Sequence, residues 1–278
     1  MIDQDKTAVL LVAYGTRDPA AYQTYLNIKA AYENEFQSCE VSLAFTAGAL
    51  RKKMAQVAGI AIYNPFTALA ELQDRGYRNI AIQSLQIVPG SEFHHVSILV
   101  QSLRTISGRF GFGRLAMGMP LLSGIGDCRN VSRALSSNFD RTTSIGKDVY
   151  SQRASDEAVV LMGHGTGHPA DSAYCQMAQV LGQDHSLTFL GTLDGYPGRG
   201  EVLEQLRDLK VRKIRLMPFL LVAGAHALSD LAGDGPGSWK SAFEKEGFDV
   251  EVSLQGLGEN EEIVKIFLEH TRASIGQL

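Results

Sequence analysis

Cysteine is scarce in this chain of 278 residues: Cys39, Cys128 and Cys175 are scattered, and no CxxC pair occurs. That excludes a zinc ribbon, an iron–sulfur cluster and a disulfide framework, and leaves the three as small apolar core residues. No excess of positive charge is present either. The net charge is −4, so nothing favours a polyanion, and no nucleic-acid partner is expected. No GxGxxG opens the first strand–helix turn, and GxxxxGK[ST] and GxSxG are absent. Dinucleotides, nucleoside triphosphates and a serine nucleophile elbow therefore have no support. Long hydrophobic runs are missing too. The first apolar run, Ala8–Ala13, is far shorter than a signal or membrane segment, and the acidic start MIDQDK has no basic n-region. The chain reads as cytoplasmic and not membrane-bound. A chain whose signal peptide had been removed would read the same and would be periplasmic.

What is present is ordinary soluble material, 45% hydrophobic and 20% charged, long enough for one large or two medium domains with cores of their own. The chain turns on Ala158–Tyr174, AVVLMGHGTGHPADSAY. An apolar run, Ala158–Met162, predicts a buried strand. Gly163-His164-Gly165-Thr166-Gly167 breaks it, and helix-compatible sequence follows, with Pro169 suited to a first helical turn. A histidine between glycines at the carboxyl end of a strand lies where open α/β sheets put their ligands.

Taken in order, the first half predicts strands at Ala8–Ala13, Glu40–Phe45, Asn79–Leu85 and Arg114–Gly118. Helices are predicted at about 19–36, 50–58, 65–74, 92–106 and 127–137, the first with Ala21, Tyr25, Ile28 and Tyr32 on one face. A polar stretch, 139–156, is the linker candidate. After it, strands are predicted near Ala158–Met162, Ser186–Leu190, Lys213–Phe219 and Asp249–Ser253, and a terminal helix near 259–273.

The second half repeats the first. AVLLVAYGT at Ala8–Thr16 aligns with AVVLMGHGT at Ala158–Thr166. Arg78–Glu92 aligns with Arg212–His226, and LSGIGD at Leu122–Asp127 with LQGLGE at Leu254–Glu259. The expected fold is α/β: two similar lobes, 1–140 and 155–278, each a parallel sheet of about four strands flanked by helices. The terminal helix either packs on its own lobe or crosses to the first.

The repeat sets Tyr14 against His164 and Glu92 against His226. If the strand-end loops of both lobes face one cleft, it holds His164, His226 and Glu92, with Tyr14 at its edge. Two imidazoles and a carboxylate suit a divalent transition metal, and also proton removal. Each residue has a plainer reading as well. His164 would serve as a turn residue, His226 as a partly buried histidine at a helix start, and Glu92 as a first-turn carboxylate favoured by the helix dipole. His168 would pair with His164 on a second metal, or simply sit on the surface. His94 and His95 read as a solvated pair or, for one of them, as an axial haem ligand. The glycine-rich loop Gly233–Gly237 reads as a flexible wall and Trp239 as a packing anchor.

The stretches MGHGTGHPADSAY, MPFLLVAGAHALSDLAGDGPGSWK and IQSLQIVPGSE resemble the anaerobic cobalt chelatases of cobalamin biosynthesis, the CbiK-like class II chelatases, over nearly the whole chain. The resemblance implies two α/β lobes with a tetrapyrrole between them, and ATP-independent insertion of Co²⁺ into sirohydrochlorin, or a precorrin-2 type precursor. The family's two metal-site histidines match His164 and His226, and its first-lobe acid matches Glu92. A second acidic position, in a motif resembling GTVEGYP, falls on Asp194 in Gly191–Pro197; aspartate there is one methylene short, which suits a water-bridged contact. Tyr14, Gly15, Thr16 and Gly165 are expected to touch the substrate. Arg17, Arg51 and Lys52 are candidates for a basic rim facing its carboxylates. Fe²⁺ or Ni²⁺ would suit the same ligands in vitro. No nucleotide and no haem are expected, and a homo-oligomer is. The alternatives are a sirohydrochlorin ferrochelatase, a non-catalytic tetrapyrrole or haem carrier using His94 or His95, and a bilobal solute-binding protein, which leaves the two histidines unexplained.

Overall fold

The computed structural model describes residues 6–139, 156–224 and 227–278. Most of the linker candidate, residues 140–155, and His226 lie outside them. Among the described residues the chain forms two compact units, Met1–Ser123 with Val264–Leu278, and Gly124–Ile263.

Unit 1 holds strands β1 (Lys6–Ala13), β2 (Glu40–Phe45), β3 (Tyr77–Ser84) and β4 (Arg114–Gly118), all parallel, in the order β2-β1-β3-β4. Its helices are α1 (Pro19–Glu35), α2 (Gly48–Ala58), α3 (Pro65–Asp74) and α4 (Ser91–Leu103). Helix α5 (Ile125–Phe139) follows in the chain. Unit 2 repeats the plan with β5 (Glu157–Gly163), β6 (Thr188–Thr192), β7 (Lys213–Pro218) and β8 (Asp249–Val252), parallel and in the order β6-β5-β7-β8. Helices α6 (Ser172–Asp184), α7 (Arg199–Arg207), α8 (Trp239–Lys245) and α9 (Glu261–Ile275) complete the chain, with a π-helical turn at Ala227–Leu231.

The apolar runs dictate this plan. Ala8–Ala13 and Ala158–Met162 are at most 1% exposed, as expected for central parallel strands covered on both faces. On α1, Ala21, Tyr25, Ile28 and Tyr32 form the buried stripe. Asp18 caps that helix by accepting from Ala20 N–H, and Pro19 opens it. Trp239 is buried against Phe243 in the unit 2 core, a packing anchor, with Ser238 as its helix cap. Cys128 is buried, which pushes its thiol up to about 11, with Asp127 adding to the shift; Cys39 and Cys175 are only partly buried. Among the described residues no helix is long and apolar enough to cross a membrane.

Several boundaries move from their expected places. β6 begins at Thr188 rather than Ser186, because Leu187 takes a left-handed conformation, φ 56°, as the chain turns into the strand. α4 stops at Leu103, where the Thr105 hydroxyl donates to Ser102 O and Ile106 N–H to Leu103 O.

Equivalent hydrogen bonds show the register of the duplication. Leu85 N–H donates to Val12 O at 2.8 Å, and Phe219 N–H to Met162 O at 2.7 Å, in keeping with the first two sequence matches. The third match is out of register. Leu121 N–H bonds Gln86 O and Leu257 N–H bonds Leu220 O. Leu122 is therefore equivalent to Gly258 and not to Leu254. The link after the last strand covers residues 119–120 in the first half and 253–256 in the second, and the similarity of LSGIGD to LQGLGE hides that insertion.

The two closing helices do not stay with the halves that precede them. α5 belongs to unit 2, so the unit boundary falls at Ser123, ahead of the polar stretch. There the Ser132 hydroxyl donates to Asp184 Oδ2 at 2.6 Å, and Asn260 Nδ2 donates to Ala134 O at 2.9 Å. α9 crosses from residue 264 onward into unit 1. Its Thr271 hydroxyl donates to Gln83 Oε1 at 2.8 Å and lies 3.0 Å from the Tyr32 hydroxyl, and Arg272 pairs with Glu35.

Candidate active site

The carboxyl ends of the neighbouring strands β5 and β6 build the site in unit 2. Leu193 N–H donates to Gly163 O at 3.1 Å and Asp194 N–H to His164 O at 2.8 Å. The parallel register thus continues past both strands and brings two loops side by side. His164 Nδ1 lies 3.2 Å from Gly165 O and 3.8 Å from Asp194 Oδ2. With Nδ1 assigned as the protonated nitrogen facing that carbonyl, Nε2 carries the lone pair that a metal or a proton needs. Both side chains reach solvent, His164 at 44% and Asp194 at 71% exposure, so incoming groups have access.

The GHG turn is held on several sides. Gly165 has φ +79°, and a Cβ there would stand 2.6 Å from Gly195 N, so only glycine fits. The buried Tyr174 hydroxyl bonds the Gly165 backbone; burial raises its pKa and this bond lowers it in part. Asp171 Oδ1 accepts from Thr166 N–H at 3.0 Å, and Asp171 Oδ2 from Tyr196 N–H at 2.7 Å. His168 is a cap: its Nδ1 accepts from Ala170 N–H at 3.1 Å, and Pro169–Asp171 form a short 3-10 turn ahead of α6.

Unit 1 keeps the same scaffold with different chemistry. Thr46 N–H bonds Ala13 O and Ala47 N–H bonds Tyr14 O, so Tyr14 stands where unit 2 has His164, and Ala47 where it has Asp194. Tyr14 is 54% exposed. Gly15 has φ +112° against the Phe45 ring, and Thr16 is buried with its hydroxyl accepting from Asp18 N–H. Glu92 sits in the first turn of α4, past the carboxyl end of β3, and is partly buried. Arg17 and Lys52 are exposed; Arg51 is partly buried, and its Nε is shielded without a hydrogen-bond partner among the described residues. His94 and His95 are exposed on α4.

The described residues therefore bring His164, Gly165 and Asp194 together in one unit, and Tyr14, Gly15 and Thr16 together in the other. Among them no group of three metal-binding side chains occurs. Sequence reasoning missed Asp171 and Tyr174. For Tyr174 the duplication carries a signal, since Tyr25 bonds the Gly15 backbone as Tyr174 bonds that of Gly165; Asp171 has no acidic counterpart in the first half, where Ala21 stands. A cavity of about 310 Å³ in unit 1, bordered by Arg104, Arg114 and Gln277, includes none of the residues singled out from sequence.

Comparison with known proteins gives a consistent answer. The family model for cobalt chelatase (CbiK) matches residues 7–276. The sirohydrochlorin cobaltochelatase of Salmonella typhimurium is 35% identical, covering 97% of this chain and 97% of that one. The sirohydrochlorin cobaltochelatase CbiKC of Nitratidesulfovibrio vulgaris is 33% identical over 98% and 92%. Among solved structures, SirB from Bacillus subtilis with Fe³⁺ superposes with a TM-score of 0.66 over 98% of this chain and 96% of that one. At 16% identity that likeness speaks for the fold alone.

Proposed function

Because the chain belongs to the cobalt chelatase (CbiK) family, we propose that it inserts Co²⁺ into sirohydrochlorin without a nucleotide, releasing two protons, in anaerobic cobalamin biosynthesis. The observation that carries the reading is His164 on a strand-end glycine turn, with Asp194 Oδ2 3.8 Å from its Nδ1.

The chemistry asks for ligands that hold a divalent cation and then let it go. We assign that to the imidazoles of His164 and His226, which bind first-row cations well yet release them to a tetradentate ring. Asp194 adds a negative charge that draws the cation in through a bridging water. Each imidazole, once relieved of the cation, takes one of the two pyrrole protons, so two histidines match the two protons released. Glu92 is the third group, a carboxylate able to accept a proton and pass it to solvent. Tyr14, Gly15, Thr16 and Gly165 contact the macrocycle, and Arg17, Arg51 and Lys52 meet its carboxylates. Such ligands accept Fe²⁺ or Ni²⁺ as well as Co²⁺, so metal choice in the cell follows supply as much as geometry. A soluble, carboxylate-rich substrate fits a cytoplasmic enzyme.

The test is anaerobic mixing of purified protein, sirohydrochlorin and Co²⁺ in weak buffer, following absorbance and pH together. Insertion faster than the uncatalysed reaction, with two protons per cobalt, supports the reading. Binding of the ring with no acceleration replaces it with a carrier.

A further inference from the structure

We propose that Asp171 is the positioning residue of this site: its carboxylate clamps the His164 loop to the Asp194 loop and so sets the geometry at which the metal is held. The proposal rests on the chelatase reading above. Three observations lead to it. First, the two oxygens of one carboxylate serve two different loops, Oδ1 taking Thr166 N–H at 3.0 Å and Oδ2 taking Tyr196 N–H at 2.7 Å. Each amide lies two residues beyond a candidate metal-handling side chain, His164 on one loop and Asp194 on the other. Charge-assisted bonds of this kind are about twice as strong as neutral ones. Second, the chain makes room for the clamp: a Cβ on Gly195 would lie 2.2 Å from Asp171 Oδ1, so the carboxylate occupies the space a side chain would need.

Third, the duplication supplies an internal control. The cap that precedes the helix is shared by both halves. Asp18 N–H bonds the Thr16 hydroxyl and Ala20 N–H bonds Asp18 Oδ1, while His168 N–H bonds the Thr166 hydroxyl and Ala170 N–H bonds His168 Nδ1. The turn is therefore scaffold, inherited whichever chemistry follows. The clamp is not shared. The place of Asp171 is taken in unit 1 by Ala21, followed by Tyr22, and neither bears a carboxylate. Among the described residues, it is the half with histidine and aspartate at its strand ends in which one carboxylate bonds both loops. A group needed merely to fold the turn would be expected in both.

The test uses Asp171→Asn and Asp171→Ala in the full chain, beside His164→Ala and the double variant Asp171→Asn/His164→Ala. Asparagine keeps one acceptor but turns an amide NH₂ toward the other loop. The kcat of cobalt insertion is expected to fall about tenfold to a hundredfold in Asp171→Asn, with KM for sirohydrochlorin nearly unchanged and the melting temperature within a few degrees of wild type. The visible spectrum of Co²⁺ bound without the tetrapyrrole is expected to shift. In the double variant Asp171→Asn should add no further loss, since it acts through His164. Wild-type kcat in Asp171→Asn and Asp171→Ala, with His164→Ala slowed about a hundredfold or more, overturns the clamp and leaves the chelatase site standing. A full additional loss in the double variant overturns it too. If His164→Ala itself inserts cobalt at the wild-type rate, the site reading fails and the clamp falls with it.

Discussion

Asp194 and His164 are joined twice: Asp194 N–H donates to His164 O at 2.8 Å, and Asp194 Oδ2 stands 3.8 Å from His164 Nδ1. The first contact places the loops and the second sets the carboxylate beside the imidazole. At 3.8 Å the carboxylate is too far for a direct hydrogen bond, so its influence is that of a nearby charge or a bridging water. Asp194→Ala is expected to lower kcat for cobalt insertion by about tenfold to a hundredfold, the usual cost of losing an outer partner of a metal site, while the main-chain bond persists. Steady-state insertion kinetics check this; an unchanged kcat would leave Asp194 without a role.

Gly165→Ala should damage both fold and site. At φ +79° a side chain is strained, and its Cβ would meet Gly195 N at 2.6 Å. The conformational strain alone costs about 1–2 kcal/mol. A lower urea midpoint together with lost insertion activity is the expected pair of results.

α9 owes its place in unit 1 to a buried polar network. Gln83 is fully buried, and its Nε2 donates to Ser84 O and Met119 O. That fixes Oε1 as the acceptor of the Thr271 hydroxyl, with Tyr32 donating to Thr271 in turn. Thr271→Val keeps the volume and removes the hydroxyl, leaving Gln83 Oε1 and Tyr32 without their partner. The expected loss is about 1–3 kcal/mol, read from equilibrium denaturation.

Three buried tyrosines make the protein sensitive to alkali. Burial raises the pKa of Tyr25, Tyr32 and Tyr174 above the ordinary 10.0. In the unfolded chain they ionise near 10, whereas in the fold they stay protonated. Their contribution is therefore complete below pH 10 and drains away as the pH rises above it, by about 1.4 kcal/mol per pH unit for each tyrosine. Tyr174→Phe should flatten that slope in a series of denaturation curves between neutral and alkaline pH.

Much of the fold was legible because central parallel strands must be apolar on both faces, and Ala8–Ala13 and Ala158–Met162 are. The repeat was legible for the same reason, since buried strands and glycine turns tolerate few residue types. It misled where such constraints are weak: LSGIGD and LQGLGE are similar loops that occupy different registers, which only the hydrogen bonds of Leu121 and Leu257 reveal. The exchange of α5 and α9 was not legible, because an amphipathic stripe says that a helix packs but not on which sheet. Of the site, His164 stood out by its flanking glycines. Asp171 did not, because an acidic residue near a helix start looks like ordinary capping until both its oxygens are seen to serve separate loops.

The central claim is that His164 handles the metal during insertion. The most direct measurement is the anaerobic rate of cobalt–sirohydrochlorin formation by wild type and His164→Ala, at equal protein and saturating Co²⁺. Removing a group that both holds the metal and takes a proton should cost at least a hundredfold in kcat, with the folded state intact by circular dichroism. Insertion by His164→Ala at the wild-type rate would contradict the account.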